Sequence, residues 1–471
     1  MNMMSILDQY TAKFKQMILE ICAETGDAPT AELGPEAYMK VVGALKSAAA
    51  DAGIKAVVEY VQSCDSGGYS VKVGGKLAHF KGLVPKDFHV GFGVATIMRR
   101  VYRYADGGGD VVPLDIMFNV VDEYFFPDIR GAILHSVASK PPEDLVADMA
   151  RFALRPPSVT AVRRLTHETG VKLESGREEL EAATSLSARM PREAVHAMVV
   201  SMDGASVPMR QEERGHKYER HYKMAMCGTV GLYGEAVPDK DGVLRMERVA
   251  SMGFARMPEE KCPTFKRALD AEASRVAAAA PSGTPMILLM DGAIHQWAHV
   301  EGNPVYEGYL HLVDFYHAGE HLHAAVEALF GVGMAAGRKW EEKWKGELLA
   351  RENQALGLCR SIEYYLKTKR LTKANRAEAE RQLTYFRNNC ARMNYAWFRK
   401  RGLPIGSGPV ESCCKLLVKS RLCGSGMSWG VEGGQAVLTL RAHRKAGDWD
   451  MMWSTYLRIR QKANPALEMA A

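Results

Sequence analysis

Long hydrophobic runs are missing from this chain of 471 residues. A membrane-spanning helix needs about 20 consecutive, mostly apolar residues, and no run of even about 18 occurs. The segment Met1–Tyr10 also lacks the basic start and the apolar core of a secretory signal. We therefore expect a cytoplasmic protein that has no membrane partner.

Paired cysteines are missing too. The nine cysteines are scattered, form no C-x-x-C pair and are odd in number, which argues against a disulfide framework. Cys413 and Cys414 are neighbours in sequence and cannot easily bridge each other. A reducing compartment is the simplest setting for such a chain.

A strong overall charge is also absent, but the existing charge is unevenly spread. The formal net charge is +6, and the 25% of charged residues is ordinary for a globular protein. Residues 335–401 hold 17 lysines and arginines against 7 acidic residues, a net of +10. Residues 411–462 hold 9 against 4, a net of +5, so the rest of the chain carries −9. This pattern fits either a polyanionic partner or a pair of solvated helical faces, and charge alone does not decide between them.

The length of the chain predicts two to four domains. Residues 1–52 show helical spacing of apolar residues over 5–21 and 35–50. Residues 53–140 are typical of a small, β-rich α+β domain. Its strands are predicted at 56–61, 69–73 and 95–104.

Two short helices are predicted within residues 141–172. They cover Glu143–Phe152 and Val159–Thr169, with Ser158 as the N-cap of the second and Gly170 at its end. Such a pair is typical of a helix-turn-helix, whose second helix contacts DNA, so Arg163 and Arg164 are predicted DNA contacts. Any two packed helices give the same pattern. A polar segment, 174–192, follows and predicts a domain boundary.

Residues 193–334 alternate strands with helices. Strands are predicted from Val199 onward and at 222–230, 248–254, 286–290 and 310–314, with a helix at 264–280. Residues 335–402 are helix-rich, basic and aromatic, and residues 403–462 return to the core and add terminal helices. This order predicts an α/β, ribonuclease-H-like core that is interrupted by a helical insertion.

Three acidic residues occupy special places in this core. Asp203 and Asp291 each end an apolar run and precede a glycine, and Glu411 lies at the predicted start of a helix just after Pro409. Cutting a phosphodiester with two metal ions requires convergent carboxylates, and Mg²⁺ prefers such oxygen ligands. Taken singly, each residue has an ordinary explanation. Asp-Gly is a common turn, and a glutamate in the first turn suits the helix dipole.

A fourth acidic residue, Asp314, lies three positions before His317. On the first turn of a helix the two side chains could meet, and a structural Asp–His hydrogen bond is the simplest role for them. His317 could also bind a phosphate or position a leaving group. His321 and His323 follow closely, but no zinc-type spacing completes a metal cluster.

Longer motifs surround these residues. They are Met202-Asp203-Gly204, Met290-Asp291-Gly292, Val313-Asp314-Phe315-Tyr316-His317, Leu403 to Ser412 (LPIGSGPVES), Arg421-Leu422 and Ser425 to Trp429 (SGMSW). With Arg100 to Arg103 and Pro113-Leu114-Asp115, the chain from about 95 to 455 resembles DDE transposases of bacterial insertion sequences. The Asp-x-x-His motif and the insertion before the glutamate resemble the Mutator-like and hAT branch. Relatives often carry a zinc-ribbon cysteine pair that the segment 104–109 lacks.

The resemblance implies a retroviral-integrase-like, ribonuclease-H-like fold and a DNA-cutting and DNA-joining enzyme. Asp203, Asp291 and Glu411 would be catalytic and would hold two Mg²⁺ or Mn²⁺ ions, with Asp314 and His317 as accessory residues. The partners implied are double-stranded DNA, at element ends and target, and further copies of the chain in at least a dimer. The setting implied is the bacterial cytoplasm at the nucleoid.

The DNA contacts predicted in the C-terminal third are aromatic and basic. They are Trp340, Trp344, Trp397, Lys415, Lys419, Arg421 and Trp429. An exposed tryptophan can stack on an unpaired base, but each of these tryptophans could equally pack inside a helical bundle.

Two other functions fit the same sequence. One is a catalytically silent or domesticated sequence-specific DNA-binding protein, against which the intact set of acidic residues argues. The other is a structure-specific nuclease on the same core, which would cut DNA without joining it.

Overall fold

The structure is a computed structural model that describes residues 35–65, 67–152, 154–210 and 221–468, with residues 11, 12, 15, 16 and 19. The chain divides into two compact units. The first contains Met1–Leu180 and Trp449–Ala471, and the second contains Glu181–Asp448. Most of the helix predicted at 5–21 lies outside the described residues. Among the helices that are described, none is long and apolar enough to span a membrane.

The first unit begins with the helix α1, Pro35–Ser63. It runs through the boundary predicted at residue 52, and the strand predicted at 56–61 is wrong. The apolar residues of this segment that pack into the core are Ile54, Val57, Val58 and Val61. Their spacing of three, one and three residues places them on one face of a helix, so packing selects the helix over the β-branched propensity.

An antiparallel sheet with the strand order β10-β1-β2-β3-β4 forms the centre of the first unit. Its strands are β1 Ser70–Val73, β2 Lys76–Val90, β3 Gly93–Tyr104, β4 Asp110–Val111 and β10 Leu467–Glu468. The strands β1 and β3 match the predicted ones. The long strand β2 was not predicted, because exposed polar residues and Pro85 interrupt its apolar alternation.

Helices surround this sheet. They are α2 Pro113–Met117, α3 Pro127–Val137, α4 Pro142–Arg151, α5 Val159–Ser175, α6 Arg177–Ala183 and α17 Trp449–Ala463. Both predicted helices of the helix-turn-helix are therefore present as α4 and α5, and the Ser158 hydroxyl accepts the amide of Ala161 at 3.1 Å as predicted. The helix α5 continues past Gly170 because its buried face does. The predicted segment 403–462 is divided, since α17 belongs to the first unit.

The second unit contains a mixed sheet with the order β7-β6-β5-β8-β9. Its strands are β5 Ala197–Met209, β6 His221–Pro238, β7 Leu244–Arg256, β8 Met286–Met290 and β9 Leu310–Val313. The strands β5, β6 and β7 are antiparallel to one another, whereas β5, β8 and β9 run parallel. Each of the five observed strands overlaps a strand that a hydrophobic run predicts.

Helices cover the second sheet and extend the chain beyond it. They are α7 Pro263–Ala279, α8 Ile294–Val300, α9 Phe315–Phe330, α10 Ala335–Ala350, α11 Ala355–Thr368, α12 Lys373–Asn389, α13 Tyr395–Lys400, α14 Gly408–Cys413, α15 Ser420–Leu422 and α16 Val431–Ala446. The predicted insertion, residues 335–402, is helical. Its buried side chains join those of the sheet in one hydrophobic cluster, so the insertion shares the core of the second unit.

Candidate active site

Two of the predicted catalytic residues lie side by side at one edge of the second sheet. The last pair between the parallel strands β5 and β8 is Val200↔Leu288. Asp203 and Asp291 therefore each lie three residues beyond this pair. Neighbouring strands are about 4.8 Å apart, so the register brings the two carboxylates to the same place on the rim.

Asp203 lies within a strand, and the prediction that it ends one is wrong. β5 continues to Met209, and Asp203 pairs with Cys227 on β6. The physical reason is that β5 has a different neighbour on each side. The parallel pairing with β8 stops at Val200, and β8 itself ends at Met290, whereas the antiparallel pairing with β6 continues to Met209. Asp203 is thus held rigidly by a ladder on one side and faces the rim on the other.

Asp291 follows β8 directly and is half-buried. Its Oδ1 accepts the amide of Ala293 at 3.0 Å, and its carbonyl accepts the indole N–H of Trp297 at 2.8 Å. Burial raises the pKa of Asp291 above its ordinary value, and the carboxylate of Asp203 raises it further. The hydrogen bond from Ala293 and the nearby His317 act in the opposite direction. The two carboxylates are therefore close enough to repel each other.

Asp314 is fully buried and connects distant parts of the chain. Its amide donates to the carbonyl of Met290 at 2.8 Å, which extends the ladder between β8 and β9. One carboxylate oxygen accepts the backbone amide of His317 at 2.6 Å and so caps α9, and the other accepts the amide of Ser407. The predicted Asp–His hydrogen bond is therefore present, but through the backbone. The His317 ring lies 3.5 Å from the carboxylate of Glu320 instead.

Glu411 lies in the first turn of α14. The prediction begins this helix at Pro409, whereas it begins one residue earlier, at Gly408, so Glu411 is one position further into the helix than predicted. Its Oε1 accepts the hydroxyl of Ser407 at 3.2 Å. Asp314 binds the amide of that same serine, so the residue that caps α9 also fixes the start of the Glu411 helix.

The helix does not continue regularly after Glu411. α14 is followed by a π-helical turn, Cys414–Lys419, and then by α15. The carbonyl of Leu416 in this turn accepts from Arg441 Nε at 2.5 Å and from the Ser420 hydroxyl at 2.9 Å. π-helical turns of this kind occur often at functional sites.

This irregular helix and β5 enclose a cavity of about 620 Å³. It is lined by Asp203, Glu411, Ser412, Cys414, Lys415, Lys419 and Ser420. The Cys414 thiol donates to Asp203 Oδ2 at 3.5 Å, across 211 positions of sequence. The structure thus brings the first and third predicted catalytic residues, and two of the predicted DNA-binding lysines, to one cavity.

The predicted catalytic carboxylates lie at one edge of the sheet but do not form a complete metal-binding site. Among the described residues, no group of three histidine, cysteine, aspartate or glutamate side chains is placed to hold a metal ion. In the same ranges none of Asp203, Asp291 and Glu411 has an ion-pair partner, and their hydrogen bonds come from neutral donors. No ion pair in these ranges balances their negative charge, and the repulsion between Asp203 and Asp291 opposes their closer approach.

The insertion contributes a side chain to this edge. The Tyr385 ring of α12 lies so close to Gly292 that a Cβ added there would come within 2.3 Å of Cε2. The same ring stacks on His321 with 3.5 Å between centroids. Burial first, and then the charges of Asp291 and Asp314, raise the pKa of Tyr385. A second cavity of about 460 Å³, lined in part by Gly292, Trp297 and Tyr385, opens beside it.

The other predicted DNA contacts divide by burial. Lys415 and Lys419 are exposed, and their contact with DNA stays a prediction. Trp340 and Trp344 are each only 7% exposed and belong to the hydrophobic core. The prediction that these two tryptophans stack on DNA is therefore contradicted. Their indoles are needed to close the insertion onto the sheet, and Trp340 Nε1 donates to Ser361 at 3.0 Å.

Three further residues are also engaged within the fold. Arg421 is only 4% exposed and lies 5.2 Å from the ring of Trp429, whose indole donates to Leu422 at 2.9 Å. These contacts hold Arg421 within the fold, which contradicts its direct contact with a phosphate. Trp397 is partly buried, with the guanidinium of Arg401 3.8 Å from its ring centroid.

Arg163 and Arg164 lie on α5 in the first unit, and both are exposed. Arg163 pairs with Glu143 of α4. Arg164 lies 3.9 Å from Glu168 and 5.0 Å from the ring centroid of Tyr124. Their contact with DNA stays a prediction.

Sequence reasoning missed Cys414 and Tyr385. The sequence argument treats the Cys413-Cys414 pair only as a possible disulfide, and the place of the pair beside the Glu411 motif is the available signal. Tyr385 gave no signal, because it is one of many aromatic residues in the insertion and reaches Gly292 only through the packing of α12.

Comparison with known proteins adds little to these observations. No protein-family model matches the chain, and no curated protein matches it. Among solved structures, a chain titled "Drosophila P element transposase strand transfer complex" is similar with a TM-score of 0.23 and 10% sequence identity. The match covers 69% of this chain and 80% of that chain. A similarity this low carries no argument about fold or function.

Proposed function

We propose that this chain is a DNA transposase that cuts the ends of an insertion sequence and joins them to target DNA. The observation that carries the proposal is the shared edge of the second sheet. Asp203 on β5 and Asp291 just after β8 each lie three residues beyond the last pair of these neighbouring parallel strands, and Glu411 lines one cavity with Asp203. The ribonuclease-H-like assignment of this core belongs to the same proposal, and the mixed strand order supports it.

The donor chemistry fits two divalent ions. Asp203, Asp291 and Glu411 would hold Mg²⁺ or Mn²⁺, because their oxygens are hard ligands and no ion pair within the described residues engages them. When bound, such ions would supply the positive charge that activates an attacking oxygen and stabilises a leaving oxygen at a phosphodiester. The hydrogen bonds that now occupy the carboxylates come from two backbone amides, a thiol and a hydroxyl, all weaker partners than a cation.

The chain's own residues supply binding and orientation. Lys415 and Lys419 line the cavity with the carboxylates and would bind the phosphate oxygens on either side of the cut. Asp314 and Ser407 hold the start of the Glu411 helix against β9 and α9. Asp314 and His317 would thus act as accessory residues, Asp314 by positioning.

DNA would also contact the insertion at a distance from the carboxylates. At the junction of α11 and α12, the cations Lys367, Arg370 and Lys373 have no ion-pair partner within the described part of the chain, and Tyr364 beside them is 61% exposed. The helix α12 joins this junction to Tyr385, 12 residues away, which corresponds to about 18 Å. We propose that α5 reads the terminal repeat and that at least two copies of the chain act together on paired ends.

Substitution of Asp203 tests the proposal. Asp203→Asn should abolish Mg²⁺-dependent cutting of duplex DNA taken from the sequences that flank the reading frame, and it should leave DNA binding intact. Loss of a metal-ligating carboxylate removes the site itself, so we expect a loss of about 10³-fold or more. The exposed turn residue Asp241 offers a matched control, and Asp241→Asn should cut normally.

The products separate the alternatives. A transposase gives cut ends and also joins them to a second plasmid. Cutting without joining would assign a structure-specific nuclease, and tight specific binding without any nicking would assign a silent DNA-binding protein. If Asp203→Asn retains full cutting, Asp203 is not part of the site.

A further inference from the structure

Three thiols lie together beneath the candidate site, and the proposed function makes no use of them. Cys227 on β6 is fully buried and belongs to one buried cluster with Cys413 and Cys414. The Cys413 thiol is 3.8 Å from the carbonyl of Gly228, and the Cys414 thiol is 3.5 Å from Asp203 Oδ2. The strand pairing of Asp203 with Cys227 places the carboxylate and the thiols in one cluster.

One of these thiols is reachable from solvent. Cys414 has an exposed fraction of only 2%, but it lines the cavity of about 620 Å³ together with Asp203 and Glu411. Hydrogen peroxide is nearly the size of water and can enter a polar cavity that admits water. Cys227 is fully buried, and neither Cys227 nor Cys413 lines this cavity, so the first step is assigned to Cys414.

We propose that Cys414 is a peroxide-oxidised residue and that Cys227 resolves it to a disulfide that inactivates the site. Peroxide first converts the Cys414 thiol to a sulfenic acid, and one water leaves. The Cys227 sulfur then attacks that sulfur, the S–S bond forms, and the hydroxyl leaves as a second water. The two sulfurs together lose two electrons, and the peroxide is reduced to two waters. A dithiol reductant reverses the reaction.

The order of the two steps follows from access. Cys414 lines the cavity that peroxide enters, whereas Cys227 is fully buried and does not line it. Cys227 pairs across the strands with Asp203, the residue that the Cys414 thiol contacts, so the second thiol lies near the first.

The disulfide would act on the carboxylates through two contacts. It removes the S–H donor that holds Asp203 Oδ2, and it ties the π-helical turn to β6. Glu411 lies three residues before Cys414 on the same helical stretch, so both carboxylates of the cavity would be displaced. This part of the inference rests on the proposed function. We expect cutting to fall about tenfold or more, as when a residue that orients a metal ligand is lost, and to return with dithiothreitol.

The test on the intact wild-type chain needs no DNA. The protein is exposed to hydrogen peroxide, alkylated with N-ethylmaleimide, digested with trypsin without reduction and measured by mass spectrometry. Cleavage after lysine and arginine places Cys227 on the fragment 224–240, Cys413 and Cys414 on 402–415, and Cys423 on 422–441. We expect a cross-linked 224–240/402–415 pair that dithiothreitol separates. Cys413→Ser should keep this pair, and Cys414→Ser should lose it.

The exposed Cys423 provides a matched control, since it follows on the same helical stretch but lies outside the cluster. Cys423→Ser should form the same disulfide, and Cys227→Ser should retain cutting in peroxide. Oxidation of Cys423 without any linkage to 224–240 would overturn the inference, as would a bond between Cys413 and Cys414 within one fragment. A disulfide in a protein that cuts no DNA would support the redox site and refute the proposed function alone.

Discussion

Single residues of the second unit show how a few contacts place the site. Asp314 accepts two backbone amides, and that of Ser407 lies 93 positions away in sequence. Gly292 has no side chain, and the ring of Tyr385 from the insertion occupies the space that a Cβ would need. Both residues can affect the site without contacting DNA. Asp314 holds the start of the helix that carries Glu411, and Gly292 lies next to Asp291.

Asp314→Asn should weaken this anchor. The asparagine side chain could accept only one of the two amides, and its NH₂ group would face the other, so we expect a loss of about 1–3 kcal/mol in the free energy of unfolding. Cutting should fall with it, since the start of the Glu411 helix is released. Thermal unfolding and cutting assays check both effects.

Asp239 gives the matched control, because it also accepts two backbone amides, but at a surface turn and on a single oxygen, and it pairs with Arg245 at 2.7 Å. Asp239→Asn should leave cutting unchanged and should destabilise the fold less than Asp314→Asn, because an ion pair at the surface contributes little. If Asp314→Asn unfolds at the wild-type temperature yet cuts no DNA, Asp314 acts in the reaction and not as a positioning residue.

Gly292→Ala should disturb the contact between the insertion and the sheet. The added Cβ would lie 2.3 Å from Tyr385 Cε2, and the ring cannot move freely because it stacks on His321. Overpacking of this kind costs about 1–3 kcal/mol. We expect a lower thermal midpoint for Gly292→Ala and a partial recovery when Tyr385→Leu is added. Gly346→Ala, where nothing lies within 4 Å, should be neutral or stabilising.

Elements of the second unit are joined by polar clusters as well as by the hydrophobic core. Asp270 of α7 accepts hydrogen bonds from His299 at 2.9 Å, Asn303 at 3.0 Å and Tyr306 at 2.7 Å. This cluster closes the segment between β8 and β9 onto α7. Burial alone would raise the pKa of Asp270, but the hydrogen bonds outweigh it, and the pKa lies below its ordinary value.

The pH dependence of this cluster follows from the sign of the shift. A carboxylate whose pKa is lowered by folding stabilises the fold above its unfolded pKa of about 3.9, and that contribution is lost as the pH falls through the lowered value. Asp270→Asn should therefore lower the thermal midpoint at pH 5–8 by an amount that changes little across this range. Below about pH 4 the difference from wild type should shrink. A difference that grows towards low pH would contradict this account.

At the scale of the whole molecule, the first unit joins two parts of the chain that are far apart in sequence, residues 123–172 and the helix α17. Glu123 is only 2% exposed and is contacted by Lys172 at 2.6 Å, Arg460 at 2.9 Å and Arg130 at 3.1 Å. These cations come from α5, α17 and α3. Arg130 is fully buried, and the aromatic rings of Trp453 and Tyr456 on α17 lie beside it.

Glu123→Gln should destabilise the first unit strongly. The substitution leaves three cations without their shared carboxylate, and removal of one partner from a buried ion pair costs about 3–5 kcal/mol. Hydrogen exchange is the suitable measurement, because it reports on each unit separately. Protection should fall at 127–175 and 449–463 and should remain within Glu181–Asp448. Glu168→Gln removes only an exposed pair and should have almost no effect.

The amino-acid sequence alone determined the strands of the second sheet and the acidic residues at its rim. The apolar run 286–290 is β8, and Asp291 follows it, because a buried strand and its first polar residue are local properties. The capped helix α5 was predicted for the same reason. The local pattern is misleading at 56–61, where β-branched residues predict a strand but the structure has a helix. The spacing of the residues that pack into the core favours that helix.

Only the tertiary structure decided which polar and aromatic residues meet. Trp340 is in the core and Lys415 is at the cavity, although both lie in basic helical segments, because exposure depends on which face the neighbouring elements cover. Asp203 lies within a strand and still reaches the rim, because the neighbouring strand β8 is shorter. The contact of Cys414 with Asp203 spans 211 positions, and no local pattern encodes a distance that packing of the whole unit sets.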